Sequence, residues 1–434
     1  MNSLTAASLF VLLMIFFRGA HKFSPMRLWL FTWLIAFTAN AMLGWDYIFN
    51  DEIMLLVVAS VFMFVLGGFS FGIRASTRQS PDLNRASVLL ISVSGRWANF
   101  LVLLSLVTCF PLLDHGLRSF SSLSLLDFVG SGDRLFSIMK QNQATLYESA
   151  FPVSFKLVTM LLVIASFFVP ISFISPQRVP YRKRNLLLLV TVSLLFSAVS
   201  NVRSMLLVPL LVGWFSFMAS CVVAGNTRLL TSPRVIALGL IAASSFIAWV
   251  VIAQSARLED ANFERVGRTL NHIRPWFAGY IPALSVWYES SFTDIDLTIG
   301  SSLLRGILGP LGLVSGEGFD ERIGAYDIGN GQVSNAMTIF RVLILDFGLV
   351  GTVIACYLWG WSAEFTYYKA LTRAGSWVVA LAAQYCAVFF SLNYWFFAYG
   401  ARVFGFLMAL IFVTILVKWA RKTAAGKVYP LNSP

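Results

Sequence analysis

The chain has 434 residues, of which 58% are hydrophobic and 12% charged, and its mean hydropathy is +0.77. Those values exclude a soluble globular domain and point to a polytopic membrane protein. The formal net charge of +12 does not indicate nucleic acid, because Lys and Arg fall in short clusters between apolar runs, as orientation signals do.

Eleven apolar runs are long enough to span a bilayer, or nearly so: Asn2–Phe17, Leu28–Trp45, Ile53–Ile73, Ser87–Leu113, Val153–Ser175, Leu186–Ser200, Met205–Ala224, Val235–Gln254, Ala336–Trp361, Ser376–Phe397 and Val403–Val417. The first has no basic residue ahead of it and Arg18 behind it, the wrong polarity for a cleaved signal, and reads as a retained span. Basic residues gather in alternate connections, from Arg18, Lys22 and Arg27 to the tail with Lys418, Arg421, Lys422 and Lys427, opposed there by Asp82 and Glu364. That alternation puts the N-terminus outside and the C-terminus inside. The expected fold is all-α, with eight spans in residues 1–254, a large and partly helical outer loop at 255–335, three spans in 336–417 and an inner tail at 418–434.

The outer loop at 114–152 reads as an amphipathic segment on the membrane surface. In the larger loop, Leu258–Ile273, Ile281–Glu289 and Leu297–Leu308 look helical, and a glycine-rich piece follows that is either a mobile flap or an ordinary flexible loop. Gly68 and Gly72, at four-residue spacing, read as helix-packing positions. Cys109, Cys221, Cys356 and Cys386 lie inside apolar runs without metal-ligand spacing, so neither a disulfide framework nor a metal site is indicated.

Charges inside spans carry the most information. Arg341 and Asp346 lie roughly 9 and 16 Å past Asn335 by helical rise, in a core ~30 Å thick, where either charge requires compensation. Arg96, inside the fourth span at a similar depth, is the expected partner of Asp346, as structural glue between helices. Arg203 occupies a tight outer turn, where it either snorkels to lipid phosphate or clamps a pyrophosphate. Arg268 and Arg274 flank His272 and precede Trp276 and Tyr280. That set reads either as a sugar-stacking platform or as an interfacial aromatic belt. Candidate general bases are His272, Glu289, Asp294, Asp296, Glu317, Asp320, Glu321 and Asp327, among which the sequence does not choose. Arg402 stands beside Tyr399 at the outer mouth of the last span.

Asn335, Thr338, Arg341, Asp346, Phe347, Gly348 and Gly351 spell N-x-x-T-x-x-R-x-x-x-x-D-F-G-x-x-G. This pattern, with Arg203 at an outer hairpin, the Gly279–Leu284 stretch and the eleven-span layout, resembles the bacterial O-antigen polymerases of the Wzy type. The resemblance implies a GT-C-like membrane glycosyltransferase at the periplasmic face of the inner membrane. Such enzymes transfer a growing glycan from undecaprenyl pyrophosphate to a new lipid-linked repeat unit, in membrane lipid and alongside a chain-length regulator protein. It implies leaving-group stabilisation by Arg203 and Arg341; Arg274 and His272 join them on position alone, His272 or a loop carboxylate as base. Arg268, Trp276, Tyr280, Glu289 and Arg402 are the expected substrate-binding residues, and no metal, nucleotide or other cofactor is called for. Inversion is inferred from single displacement on an α-linked donor. An O-antigen ligase has a similar layout and remains open. So does a lipid-linked oligosaccharide flippase or transporter, although no internal repeat supports it.

Overall fold

The computed structural model describes residues 11, 22–75, 96–121, 124–130, 153–174, 181–200, 204–257, 274–291, 297–314, 326–335 and 338–425. In chain order the long helices are α1 (Pro25–Leu43), α2 (Asp51–Ala75), α3 (Arg96–Ser121), α4 (Val153–Ile171), α5 (Arg182–Ser200), α6 (Ser204–Val223), α7 (Pro233–Arg257), α8 (Tyr280–Ser291), α9 (Ile339–Arg373), α10 (Trp377–Phe390) and α11 (Gly400–Ala425). Among the described residues, eight helices are long and apolar enough to cross a membrane: α1 to α6, α9 and α11. The protein is an all-α polytopic membrane protein.

Eight of the eleven expected spans coincide with these eight helices; Val235–Gln254 forms α7, which is not among the eight, and the remaining two and one helix end differ as follows. Asn2–Phe17 lies outside the described residues except for Val11. The run expected to end at Leu113 continues to Ser121, with Arg118 bonded to Asp114 one turn back at 2.8 Å. The expected Ser376–Phe397 span stops at Phe390, so α10 has 14 residues and reaches only about 21 Å. It ends in a tight turn in which the Asn393 N–H takes an i→i−3 bond to the Phe390 carbonyl, at 2.9 Å.

The chain folds as two compact units, residues 1–79, 262–368 and 384–403 forming the first and the remainder the second. In the first, Ser24 caps α1, its hydroxyl accepting from the Arg27 N–H at 3.4 Å, and Pro25 fits the first helical position. Glu364 of α9 also meets this helix start, accepting the Met26 N–H at 3.1 Å, where the positive end of the helix favours a carboxylate. The core is aromatic: Trp29 stacks on Phe64 with centroids 4.3 Å apart and meets Trp359 edge-on at 5.1 Å, while Trp33 packs on Phe340 at 5.0 Å. Helices α2 and α9 approach backbone to backbone, since a Cβ at Gly67 would lie 2.0 Å from the Tyr357 carbonyl oxygen and one at Gly360 1.9 Å from that of Phe64. Of the glycines assigned to packing, Gly68 does back onto Glu364, but Gly72 faces open space.

Part of the large loop belongs to this unit. Helix α8 buries Ile281, Leu284 and Trp287, at the three-residue spacing of one helical face. The second half of the glycine-rich piece is a docked hairpin, β1 (Tyr326–Gly329) paired antiparallel with β2 (Gln332–Ser334) in the register Tyr326 to Ser334. Asn330 and Gly331 both have positive φ, 54° and 68°, as a tight two-residue turn requires. Ile328 is fully buried, and its carbonyl accepts the Ile48 N–H at 2.9 Å. Residues 315–325 and 258–273 lie outside the described residues.

In the second unit α3, α4, α5 and α6 pack together. Gly116 of α3 leaves room for the Phe155 ring of α4, which in turn meets Phe196 of α5 at 5.5 Å. Asn185 of α5 donates to Asn99 of α3 at 3.2 Å, a polar link within an apolar bundle.

Candidate functional site

The pattern from Asn335 to Gly351 has a local structural reason at almost every position. Thr338 caps α9, its hydroxyl accepting the Phe340 N–H at 3.2 Å, and the Ile339 N–H donates to the Ser391 carbonyl at 2.8 Å. Arg341 follows, 3% exposed, its guanidinium 5.2 Å over the Trp287 ring of α8. The helix then breaks at Gly348, where φ is 69° and ψ −174°, a conformation essentially restricted to glycine. The break carries Phe347 over the next turn, so that a Cβ at Gly351 would lie 2.5 Å from the Phe347 Cβ. Only glycine fits there.

Asp346 stands just before the break and is 1% exposed. Its Oδ1 accepts the Ser302 N–H at 3.0 Å and its Oδ2 the Leu303 N–H at 2.7 Å, and the Thr298 hydroxyl donates to it as well. The Thr298 N–H bonds the Leu345 carbonyl at 2.9 Å, and the Trp395 indole donates to the Leu303 carbonyl at 2.8 Å. Among the described residues, therefore, the compensation assigned to Arg96 comes from the turn at 298–303. Its backbone N–H groups lack helical partners, and a carboxylate supplies two oxygens for them. Arg96 is the first described residue of α3, and its side chain lies outside the described residues.

Arg274 is committed within the chain. Its Nη1 and Nη2 both bond the Asp46 carboxylate, the former at 3.1 Å, its Nε bonds the Leu43 carbonyl, and its plane lies 4.7 Å over the Tyr47 ring. Asn330 at the hairpin tip completes the group, donating to Asp46 at 2.9 Å. Burial pushes the Asp46 carboxyl up, but hydrogen bonds from Arg274 and Asn330 outweigh it and hold its pKa below the ordinary value. Arg274, expected as a leaving-group stabiliser, here ties together the 43–47 turn, the entry to α8 and the hairpin, with Asp46 filling its fork.

Arg402 is different. It is 5% exposed and encased by rings, its guanidinium carbon 5.3 Å from the Phe390 centroid, 5.1 Å from that of Phe396 and 4.3 Å from that of Tyr399. Among the described residues its side chain makes one hydrogen bond, from Nη1 to the Phe396 carbonyl at 3.3 Å, and no ion pair. The turn at 390–396 thus holds both arginines: the Ser391 carbonyl anchors the start of the Arg341 helix, and Phe390 and Phe396 wall the Arg402 cage.

Trp276 and Tyr280 lie half-buried at the entry to α8, while Glu289 is exposed at its end and accepts from Asn50 at 2.8 Å. Arg203, Arg268 and His272 lie outside the described residues. Sequence reasoning did not assign Asp46, Thr298, Phe390 and Phe396 to these arginines and Asp346. Asp46 carries no pattern linking it to a distant arginine, whereas the aromatics flanking Arg402 at 394–399 were a signal in plain view.

The fold defines a multi-pass helical membrane protein. No family model, no curated protein and no solved structure matches the chain.

Proposed function

We propose that the protein is a membrane-embedded glycosyltransferase that polymerises lipid-linked repeat units of a bacterial surface polysaccharide at the periplasmic face of the inner membrane. The observation that supports this reading most is Arg341, buried in the first turn of a broken helix and lying over the Trp287 ring. Half-helix starts and buried guanidinium groups are what a membrane protein uses to hold an anionic group. In the proposed reaction the bond between the anomeric carbon of the donor glycan and pyrophosphate breaks. The acceptor hydroxyl forms the new glycosidic bond, and its proton passes to a base on the large loop. A glycosyl pyrophosphate carries its own leaving group, so the task for the protein is to neutralise the departing charge, and Arg341 and Arg203 take that role.

The test uses full-length protein in detergent with its cognate undecaprenyl pyrophosphate repeat unit, products resolved by gel. A ladder of repeats, lost in Arg341→Ala and Arg203→Ala, is expected. Transfer only after lipid A core is added identifies a ligase instead. Movement of the lipid between leaflets without any transfer overturns the enzyme reading.

A further inference from the structure

We infer that the Arg402 cage is a binding site for a phosphate-class anion, with the guanidinium as its counter-charge. Arginine presents five N–H donors in one plane. The Arg402 guanidinium carbon lies over three rings, whose faces accept no conventional hydrogen bond, which leaves its N–H donors to be satisfied by something else. Among the described residues only the Phe396 carbonyl does so, at the long end of hydrogen-bond distance, 3.3 Å. A guanidinium held in apolar surroundings without a carboxylate carries a large desolvation penalty, and cation–π contacts stabilise its faces without occupying its donors. The other arginine tied to the loop, Arg274, shows what this chain does when the charge serves the scaffold, since Asp46 fills its fork. Among the described residues Arg402 lacks that closure.

Two further features fit an anion. Tyr399, the nearest ring of the cage, is 52% exposed, so the site lies one ring from the surface. Arg402 is also in the first turn of α11, 26 residues long, whose N-terminal N–H groups add positive potential at the same place. A phosphate matches the planar fork and the charge, and a diphosphate offers two such groups. The assignment rests on the proposed function only in taking the diphosphate as first probe. The shared chemistry is a phosphate group, from a soluble or lipid-linked diphosphate or from a membrane phospholipid.

The experiment titrates full-length protein in non-ionic detergent with inorganic pyrophosphate by calorimetry, comparing wild type, Arg402→Lys, Arg402→Gln and, as a control for general charge, the exposed Arg118→Gln. Wild type and Arg118→Gln bind alike, Arg402→Lys binds more weakly, and Arg402→Gln loses about tenfold or more, the scale of one charged hydrogen bond. In parallel, native mass spectrometry of protein from phosphatidylglycerol nanodiscs counts retained lipid. Lipid lost only in Arg402→Gln, with no response to pyrophosphate, supports the site and names the headgroup as its source. Should Arg402→Gln not fold, amide exchange of residues 396–405 in the wild type is read with and without pyrophosphate and phosphatidylglycerol, and protection by either is expected. Equal binding and equal lipid retention in wild type and Arg402→Gln, or no protection in the wild type, overturns the inference. A failed polymerisation assay with Arg402-dependent binding intact removes the transfer reading and leaves this one standing.

Discussion

Asp346 shows how much one side chain decides here, because each of its oxygens receives a backbone N–H from the turn at 298–303. Asparagine keeps the shape but replaces one oxygen with a donor, which then faces another donor. Asp346→Asn is therefore expected to lower stability by about 1–3 kcal/mol, the cost of a buried group left without its hydrogen bond. The measurement is the melting temperature in detergent, and an unchanged value removes Asp346 as the anchor of the turn. Asp46 gives a pH dependence of definite sign. Its folded pKa lies below the ordinary carboxylate value, so its contribution is fully present above about pH 4 and is lost as pH falls through the folded value. Amide exchange in the hairpin at 326–334 should rise with acid over that window in the wild type. In Arg274→Gln it should be raised already at neutral pH and change less on acidification.

At the level of elements, the broken helix α9 is the unit that sequence reading could not supply. Its apolar run was legible, and so were its two charges and the need to compensate them, because both follow from the cost of charge in hydrocarbon. The compensation was not legible, since nothing in residues 298–303 marks them as the turn that reaches Asp346. A break signalled by Asp-Phe-Gly looks the same in sequence as a glycine tolerated in a continuous helix. The structure separates the two readings through the φ of 69° at Gly348 and through the crowding of Gly351 by Phe347. Gly348→Ala is expected to cost on the order of 1–3 kcal/mol, from a side chain held in a glycine conformation. Limited proteolysis then reads whether the 298–303 turn is released. Gly72→Ala, where a Cβ meets nothing within 4 Å, should leave stability unchanged or raise it by up to about 1 kcal/mol, the propensity gain of alanine over glycine in a helix. A loss at Gly72 equal to that at Gly348 would show that the helix break is not what the Gly348 variant disturbs.

Across the whole molecule, most of the spans were legible because length and hydropathy alone determine them, down to the sixth run. That run looked short at Leu186–Ser200, and the helix gains the length to cross by starting at Arg182. What composition determines less directly is which end of the bundle faces which side, and the proposed reaction depends on that. The alternation of basic clusters places the loop that carries Glu289 outside and Lys422 inside. Both residues are exposed, and all four native cysteines are buried, so a single introduced cysteine should report without background. A membrane-impermeant maleimide is expected to label Glu289→Cys in cells with a permeabilised outer membrane and to label Lys422→Cys only after the inner membrane is lysed. Arg402 and Arg341 are tied to the same 390–396 turn, and that turn belongs to the same unit as Glu289. The opposite labelling pattern would turn the loop toward the cytoplasm, where a carrier-linked glycan awaiting polymerisation on the far side cannot reach it. The anion site at Arg402 would then have to be matched to a cytoplasmic phosphate instead.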